Sequence, residues 1–575
     1  MQALLNRLVA TRHTTSPLLY NLIGLVCLGG VVSCQVPATE TLVNTSSAAA
    51  TPVPELSVDT MRSLTKTLSS DAFAGRAPGS AGEARTIELI AQAFAEAGLT
   101  PGNDGDWFQS VPLVSITAEN PTPLRITGAS APLSYEYGAQ MMVGSYRVQP
   151  KIDLVESPLV FVGYGINAPE RNWNDYANVD VRGKTVIILV NDPDYTTPTL
   201  DGPFGGRAMT YYGRWTYKYE EAARQGAAAA LIIHDTEPAA YGWNVVESSW
   251  SGPQFFAQSA NAGADATLVN GWLQLPVARE IFAASGQDLD ALMSVAKRPD
   301  FTAVELGTNA NVSFTNRIDN TPSNNVIGLL KGKKRPDEYM IYTAHWDHLG
   351  RCKPAPDGDD ICNGAVDNAT GTAALVALAQ AHVRAGAPDR SLLFLAVTAE
   401  ESGLLGSKFY AQNPIYPLHK TVGGVNMDAF LMAGPAKDLT VIGKGKSELD
   451  DYLDAAARAD NRVAHQEPTP EKGFYYRSDH FSLAKRGVPM IYFKGGEDLL
   501  EGGTTAGSAA AQDYRENRYH GPKDEYDPNW DWSGVMADLR IYYRVGRDIA
   551  MTEHWPNWVP GDEFRNIRDA SRAGQ

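Results

Sequence analysis

From Asn325 onward the sequence alternates short apolar runs with helical segments, and this alternation limits the possible folds more than any other feature. Five runs have the length and apolar composition of buried strands: 326–330, 339–344, 392–397, 421–427 and 488–493. An Ala-rich helix is predicted over residues 368–385. Strands and helices in alternation form a mostly parallel sheet between helical layers. We therefore predict an α/β fold, a three-layer sandwich around a mostly parallel mixed sheet.

Acidic and histidine residues follow these strands or lie in loops near their ends. They are His345, Asp347, Asp367, Glu400, Glu401, Asp428 and His520. In parallel sheets, sites lie outside the carboxyl ends of the strands. An adjacent Glu–Glu pair is usually solvated, but Glu400 and Glu401 end an apolar strand, so both carboxylates are expected in one crevice. Carboxylates gathered there repel one another and need a cation, and two histidines complete a donor set that suits zinc.

Together these motifs resemble those of the di-zinc aminopeptidase family, which also contains glutamate carboxypeptidases and glutaminyl cyclases. The similarity covers residues 68–79 and residues 325 to about 543. The resemblance implies a hydrolase that cleaves peptide bonds with two Zn²⁺ ions per chain. The five ligands that it implies are His345 and Asp428 for one ion, Glu401 and His520 for the other, and Asp367 as the bridge between them.

The same resemblance assigns the catalytic roles. Glu400 would be the general base, which takes a proton from a hydroxide or water that bridges the metals and returns it to the leaving amine. Asp347 would accept a hydrogen bond from the far nitrogen of His345. Tyr519 would stabilise the oxyanion. Arg477 is a weaker candidate for a substrate contact, and a structural salt bridge is its alternative.

The predicted activity is the removal of N-terminal amino acids, because a pocket rich in carboxylates favours the α-ammonium group of a peptide. A carboxypeptidase or dipeptidase on the same scaffold is an alternative, although it would need several Arg or Lys residues in the pocket. Asn368 rather than proline after Asp367 favours the aminopeptidase. The complete set of five ligands disfavours a glutaminyl cyclase. A non-catalytic metal-binding receptor is also possible, but it would not need Glu400 and Tyr519. His348 and His480 are interpreted as structural.

A β-rich region separates the two segments that resemble the family. Residues 160–165, 185–190 and 229–234 are typical of strands, and 218–226 is typical of a helix. The stretch 179–186 resembles a protease-associated (PA) domain, and an unrelated β-rich insertion is the alternative. The predicted boundaries are 56–135 for the N-terminal part of the peptidase domain, 136–300 for the smaller inserted domain, 301–560 for the main peptidase domain and 561–575 for a C-terminal tail.

The first 34 residues are typical of a lipoprotein signal peptide. Arg7 and Arg12 precede an apolar stretch over 18–32, and residues 31–34 resemble a lipobox that ends at Cys34, the predicted lipidation site. A plain signal peptide and an uncleaved anchor are the alternatives. Residues 35–55 are rich in Thr, Ser, Ala and Pro and are expected to form a flexible linker. We expect an exported cell-envelope protein, bound through its lipid to the outer membrane and facing the periplasm or the cell surface.

The net charge and the remaining cysteines complete the sequence predictions. A formal charge of −17 argues against a nucleic-acid partner, since phosphate binding needs a basic face. Peptides with a free N-terminus are the expected partners, and no obligate protein partner is evident. Cys352 and Cys362 lie close together in one polar loop, where they form either a disulfide or two free thiols.

Overall fold

The computed structural model describes residues 51–352 and 354–573, which form two large β-sheets with their covering helices. The predicted signal peptide over 1–34, the lipidation site Cys34 and the linker as far as residue 50 lie outside the described residues. The end of the predicted linker lies against the folded chain, because Val53 packs against the largest hydrophobic core.

The first sheet, here called the main sheet, carries the alternating strands and helices. Its strands, from one edge to the other, are Thr100–Pro101, Ser323–Leu330, Arg390–Val397, Arg335–His345, Thr421–Asn426, Met490–Gly495, Asp438–Ile442 and Val463–Gln466, and Phe108–Val111 also pairs with Ser323–Leu330. The four strands at the centre of this order are parallel to one another. Ser323–Leu330 and Asp438–Ile442 join them antiparallel. The prediction of an α/β fold around a mixed sheet is confirmed.

Alternate side chains of the central strand Arg390–Val397 enter two separate cores, as the two-residue period of a strand requires. Leu392 and Phe394 face a core that also holds the apolar faces of several helices. Leu393 and Leu395 face a second core on the opposite side of the sheet, which helices also cover. Helices therefore cover both faces of the main sheet, and this gives the three layers.

Fourteen α-helices are found among the described residues. They are Val58–Leu68, Ala81–Glu96, Trp215–Arg224, Thr236–Ala239, Trp243–Trp250, Leu275–Ala284, Leu289–Ala296, Thr370–Arg384, Leu405–Gln412, Leu449–Ala459, His480–Ala484, Gly503–Asn517, Ser533–Met551 and Arg565–Arg572. Thr370–Arg384 is rich in alanine and almost wholly buried, so it packs closely between the sheet and its neighbours. None of the described helices is both long enough and apolar enough to span a bilayer.

The second sheet contains the strands predicted for the insert. Its order is Gln254–Ala257, Leu113–Glu119, Val304–Asn320, Lys151–Phe161, Thr185–Leu189, Ala229–His234, Val269–Gln274 and Met141–Gly144. Leu124–Thr127 also pairs with Val304–Asn320, and Leu133–Tyr135 pairs with Leu124–Thr127. The sheet therefore takes in strands on both sides of the predicted 136–300 boundaries. The long strand Val304–Asn320 causes this difference. It pairs with Leu113–Glu119, which lies outside the predicted insert, and with Lys151–Phe161, which lies inside it.

Two local features differ in detail from the sequence predictions. The helix predicted from residue 368 begins at Thr370, because Asp367 and Asn368 have non-helical backbone angles in the turn Ala365–Ala369. The predicted C-terminal tail contains the helix Arg565–Arg572. This helix is held to the main sheet by the buried Arg568, which donates a hydrogen bond to the carbonyl oxygen of Thr421.

We expect the substitution Leu395→Ala to destabilise the main sheet. Leu395 is buried in the central strand, and its truncation leaves a cavity that costs about 2–5 kcal/mol of unfolding free energy. Urea unfolding followed by circular dichroism measures the change. Leu500→Ala is the matched control, because Leu500 is 61% exposed and its loss should change the unfolding free energy by less than about 0.5 kcal/mol. Equal losses in both variants would contradict the assignment of this core.

Candidate metal centre

Three neighbouring parallel strands bring predicted metal ligands to one edge of the main sheet. His345 is the last residue of Arg335–His345, the strand between the other two. Glu401 follows the strand on one side of it, and Asp428 follows the strand on the other side. Because all three strands run in the same direction, their carboxyl ends meet at this edge and their side chains converge there.

Asp367 lies between the two histidines of the site. Nε2 of His345 is 3.2 Å from Oδ1 of Asp367 and 3.4 Å from Oδ1 of Asp428. Nε2 of His520 is 3.3 Å from Oδ2 of Asp367 and 3.0 Å from Oε2 of Glu401. The two oxygens of Asp367 therefore face two separate groups of donor atoms. This is the arrangement that two metal ions with a shared carboxylate require.

The donor set fits divalent cations. The ligand atoms of His345, Asp367 and Glu401 lie within 4.8 Å of one another, and so do those of His345, Glu400 and Asp428. Buried carboxylates at such separations repel one another and lose their hydration, and a bound cation offsets both costs. Imidazole nitrogens with carboxylate oxygens are a donor set typical of zinc.

The negative charge of the site acts on the histidines and on Glu400. Burial lowers the pKa of His520, but the charges of Glu401 and Asp367 outweigh this effect and raise the pKa to about 10. Burial raises the pKa of Glu400 well above its usual value, and the charges of Glu401 and Asp428 add to the rise against the opposing effect of His345. The same negative charge that stabilises a proton on these groups attracts a metal cation.

Asp347 supports the site differently from what the sequence predicted. Its carbonyl oxygen, rather than its carboxylate, is the closer neighbour of His345 Nδ1, at 3.2 Å against 3.7 Å. The carboxylate accepts hydrogen bonds from the backbone N–H groups of Glu400 and Glu401 instead. The carbonyl contact favours a proton on Nδ1, which leaves Nε2 free to bind a metal. Burial raises the pKa of Asp347 to about 7, with His345 acting in the opposite direction.

His348 has a more direct contact with the site than the sequence indicated. Its Nδ1 lies 2.6 Å from Oε1 of Glu401, while Oε2 of the same carboxylate faces His520. His348 is buried, so the contact fixes the orientation of the Glu401 carboxylate. His480, by contrast, is buried against Tyr475 and Tyr492 and contacts none of the five predicted ligands through its ring nitrogens.

Asp524 holds the backbone that carries Asp367. Its two carboxylate oxygens accept hydrogen bonds from the backbone N–H groups of Val366 and Asp367, at 2.9 and 3.0 Å. The hydroxyl of Tyr514 donates to the same carboxylate. No role for Asp524 is predicted from the sequence, and its position four residues after His520 is the signal that could have indicated one. A buried acid beside a ligand loop is often a positioning group.

Arg76 ties together the loops on either side of the site. Its buried guanidinium donates hydrogen bonds to the carbonyl oxygens of Leu68, Trp346, Asn363 and Gly364. Trp346 follows the ligand His345, and Gly364 begins the turn that carries Asp367. In the sequence, only its family resemblance distinguishes the segment 68–79. The structure shows what its arginine does, namely satisfy carbonyl groups that would otherwise be buried without partners.

Asn368 and Ser478 hold Asp428. The side-chain amide of Asn368 donates to the carbonyl oxygen of Met427, and its oxygen accepts from the backbone N–H of Ala429. The hydroxyl of Ser478 donates to Oδ2 of Asp428 at 2.7 Å. The asparagine after Asp367 therefore connects the loop of the shared ligand to the loop of Asp428.

Tyr519 and Arg477 both have exposed side chains. The ring of Tyr519 stacks on the ring of His520, with centroids 3.8 Å apart, and its side chain is 48% exposed. Arg477 is exposed, and its guanidinium lies over the ring of Phe474. It forms no ion pair with any described residue, so the alternative interpretation of Arg477 as a structural salt bridge has no support among the described residues.

Cys352 and Cys362 are joined by a disulfide close to the site. The bond closes a hairpin in which Gly350–Arg351 pairs with Ile361–Cys362. Asn363, the next residue, gives its carbonyl oxygen to Arg76. The disulfide therefore anchors the start of the chain segment that leads to Asp367.

Comparison with known proteins supports the assignment of this site to a zinc peptidase. Residues 325–543 match the family model described as Peptidase family M28. The Aminopeptidase NAALADL1 of Mus musculus is 33% identical over 128 residues, which cover 21% of this chain and 16% of that protein. Leucine aminopeptidase 2 of Arthroderma otae is 27% identical over 308 residues, or 51% of this chain and 56% of that protein. The matched part of the chain thus spans only a fraction of each relative.

Two of the solved structures that match this chain are those of aminopeptidases. One, from Aneurinibacillus sp. strain AM-1, has a TM-score of 0.48 and 22% identity over 87% of this chain and 95% of its own. The other, the zinc aminopeptidase BSAP from Bacillus subtilis, has a TM-score of 0.40 and 17% identity over 89% of this chain and 100% of its own.

The predicted resemblance to the zinc peptidases is confirmed over residues 325–543, which include all five predicted ligands. The resemblance of the insert to a PA domain stays a prediction.

We expect Asp524→Asn to weaken zinc binding without unfolding the protein. An amide in place of the carboxylate offers one acceptor instead of two to the N–H groups of Val366 and Asp367. Loss of such a positioning contact lowers metal affinity by about 10–100-fold. Competition with a chromophoric chelator measures the affinity, and circular dichroism monitors the fold. Asp527→Asn, at a nearby exposed position, is the control. If both variants bind zinc as tightly as the parent, Asp524 does not position Asp367.

Proposed function

We propose that this chain, whose residues 325–543 match Peptidase family M28, is a zinc-dependent aminopeptidase that removes N-terminal amino acids from peptides. The observation that carries the proposal is the pair of donor groups that share Asp367 at the carboxyl edge of the main sheet. The comparisons support a zinc peptidase in general terms, and the number of ions and the choice of substrate end are part of the proposal.

The proposed ligands divide between two ions. His345 and Asp428 would hold one zinc ion, Glu401 and His520 would hold the other, and Asp367 would bind both. Zinc bound there would polarise the scissile carbonyl group and lower the pKa of the attacking water. The buried supports described above hold these ligands in place before any substrate arrives.

Glu400 is the proposed general base. Its carboxylate lies among the donor atoms of His345 and Asp428, and its backbone N–H is held by Asp347. From this position Glu400 takes the proton of the attacking water and returns it to the leaving amine. Tyr519, at the open side of the site, is the proposed donor to the oxyanion of the tetrahedral intermediate.

The choice of the amino end of the substrate follows from charge. A free α-ammonium group is attracted to the carboxylates of the site, whereas a terminal carboxylate placed among them would be repelled. We therefore propose peptides with a free N-terminus as substrates. A non-catalytic receptor does not account for the additional glutamate, Glu400, beside the predicted ligands.

The cellular location is a separate proposal that rests on the sequence of residues 1–34. Cleavage before Cys34 and acylation of that residue would attach the enzyme to the cell envelope, with residues 35–55 as its linker. The proposed substrates are then peptides outside the cytoplasm. The role of the second sheet as a PA-like domain belongs to the same set of proposals.

We expect the chain lacking residues 1–34 to release p-nitroaniline from aminoacyl p-nitroanilides. A chelator should abolish the release, and added zinc should restore it, because both metals take part in the reaction. N-acetylated substrates should not be cleaved, since they lack the charged amine. Absorbance at the p-nitroaniline band measures the rate, and zinc analysis gives the metal content. Two bound zinc ions without hydrolysis of any free-amine substrate would contradict the proposal.

We expect Glu400→Gln to retain zinc and lose turnover. The amide keeps the size of the side chain but cannot accept the proton of the water, so kcat should fall about 100-fold or more. Zinc content and kcat are measured on the same preparation. Glu501→Gln is the control, because Glu501 is exposed and outside the site. Unchanged kcat in Glu400→Gln, with zinc bound, would exclude the proposed role.

A further inference from the structure

A cavity of about 310 Å³ lies between the region of the second sheet and the region of the main sheet. Arg171 and Phe204 line it from the second-sheet region, and Glu467 and Tyr475 line it from the main-sheet region. The segment 559–563, near the C-terminus, forms a third side. Sites for small molecules commonly lie where two such regions meet, and they have volumes of about 300–1,000 Å³. The cavity has the position and the size of a ligand site.

Buried aromatic rings stand between this cavity and the metal centre. The ring of Tyr475 contacts the ring of His480, with centroids 4.6 Å apart, and His480 lies beside Tyr492, with centroids 5.3 Å apart. The hydroxyl of Tyr492 donates a hydrogen bond to the carbonyl oxygen of Asp428 at 3.1 Å. None of the five predicted metal ligands lines the cavity. The cavity is therefore separate from the site that holds the zinc ligands.

Three buried polar atoms without partners belong to residues that line this cavity. They are Oε2 of Glu467, the hydroxyl of Tyr475 and Nε of Arg171, and none has a hydrogen-bond partner among the described residues. Glu467 is only 6% exposed and Tyr475 only 4%. Buried polar groups normally have partners, because they have lost their hydrogen bonds to water. Acceptors and donors without partners around one cavity indicate a ligand that carries both kinds of group.

The charges around the cavity balance. Six charged side chains line it, three of each sign: Arg171, Lys444, Lys446, Glu467, Asp562 and Glu563. Lys446 lies 2.9 Å from Asp562 and 3.0 Å from Glu563. Lys444 lies 2.7 Å from Asp454. Four of the six are thus paired with one another or with a neighbour, and Arg171 and Glu467 are left to meet a ligand of no net charge.

Arg171 and Glu467 each keep one hydrogen-bonding atom for such a ligand. Nε of Arg171 is 3.6 Å from Oε1 of Glu170, which is too far for a hydrogen bond. Oε1 of Glu467 accepts a hydrogen bond from the backbone N–H of Gly443 at 3.3 Å, whereas Oε2 accepts none. One side of the cavity therefore offers a cationic donor, and the other offers an anionic acceptor.

Apolar groups complete the lining. Phe204 is fully buried and Met209 is 7% exposed, and both line the cavity from the second-sheet region. A small zwitterion with an apolar side chain has the complementary groups. Its ammonium group would donate to Glu467, its carboxylate would accept from Arg171, and its side chain would pack on Phe204 and Met209. An α-amino acid is a small molecule with this chemistry.

We infer that this cavity is a binding site for a free apolar α-amino acid. The inference goes beyond the proposed hydrolysis of peptides and does not depend on it, because no predicted zinc ligand or catalytic residue lines the cavity. A bound amino acid would contact both the second-sheet region and the main-sheet region. It would therefore stabilise the folded chain against heat, as any ligand of the native state does.

The test measures the binding of three related molecules to the zinc-loaded protein by isothermal titration calorimetry. L-Leucine has both charged groups, L-leucinol lacks the carboxylate, and N-acetyl-L-leucine lacks the ammonium group. We expect L-leucine to bind, and each of the other two to bind about tenfold or more weakly, because each loses a charge-assisted hydrogen bond. The rise in melting temperature at equal ligand concentration should follow the same order.

Two variants assign the binding to the cavity. Glu467→Gln removes the charge of the acceptor, and Ala208→Phe fills the cavity from its lining without a change of charge. Each should weaken L-leucine binding about tenfold or more. Glu501→Gln is the matched control, because Glu501 is exposed, and it should bind L-leucine like the parent. Zinc content and the melting temperature without ligand check that each variant is folded and loaded. Any leucine held by the zinc ions is common to all variants, so the difference from the parent isolates the cavity.

Three results would overturn the inference. The first is an absence of L-leucine binding to the parent, which would mean that water alone occupies the cavity. The second is equal affinity for L-leucine and L-leucinol. The third is an unchanged affinity for L-leucine in Glu467→Gln or in Ala208→Phe. Hydrolysis of aminoacyl p-nitroanilides is measured separately, so a failure of the proposed function is distinguished from a failure of this inference.

Discussion

The repulsion among buried carboxylates at the edge of the main sheet is the constraint on which the rest of the structure depends. Asp367, Glu400, Glu401 and Asp428 converge there, and three histidines, His345, His348 and His520, lie against them. Such a cluster is unfavourable in a folded protein unless cations bind it. The parallel strands make the convergence possible, because they deliver side chains from distant parts of the sequence to one edge.

The residues around this cluster mainly hold the backbone rather than the ligands themselves. The carboxylate of Asp347 accepts hydrogen bonds from the backbone N–H groups of Glu400 and Glu401. The carboxylate of Asp524 accepts hydrogen bonds from the turn that carries Asp367. The guanidinium of Arg76 donates hydrogen bonds to carbonyl oxygens of the loops on either side of the site. A metal site needs its donor atoms within a few tenths of an ångström, and side chains on loops reach that precision only if the loops are fixed. The buried polar groups therefore serve to make the loops rigid.

The second sheet contributes to the site by packing against it. Its strands extend on both sides of the insert that the sequence suggested, and its helix Trp215–Arg224 lies against the segment after Phe474. A second ion pair, between Arg207 and Glu471, joins the same two regions.

The sequence by itself predicted five strands of the main sheet, and its family resemblance predicted the members of the candidate metal site. The strands Asp438–Ile442 and Val463–Gln466 at one edge, and Thr100–Pro101 and Phe108–Val111 at the other, were not among those predicted. Strand and helix periodicity is local information, and each predicted ligand either follows an apolar strand or stands in a short motif, so the order of residues along the chain was sufficient. The tertiary structure alone decided the contacts of Asp347, His348, Asp524 and Arg76. It also set the limits of the second sheet. These features depend on pairs of residues far apart in the chain, and no local pattern records which distant backbone group a buried side chain will meet.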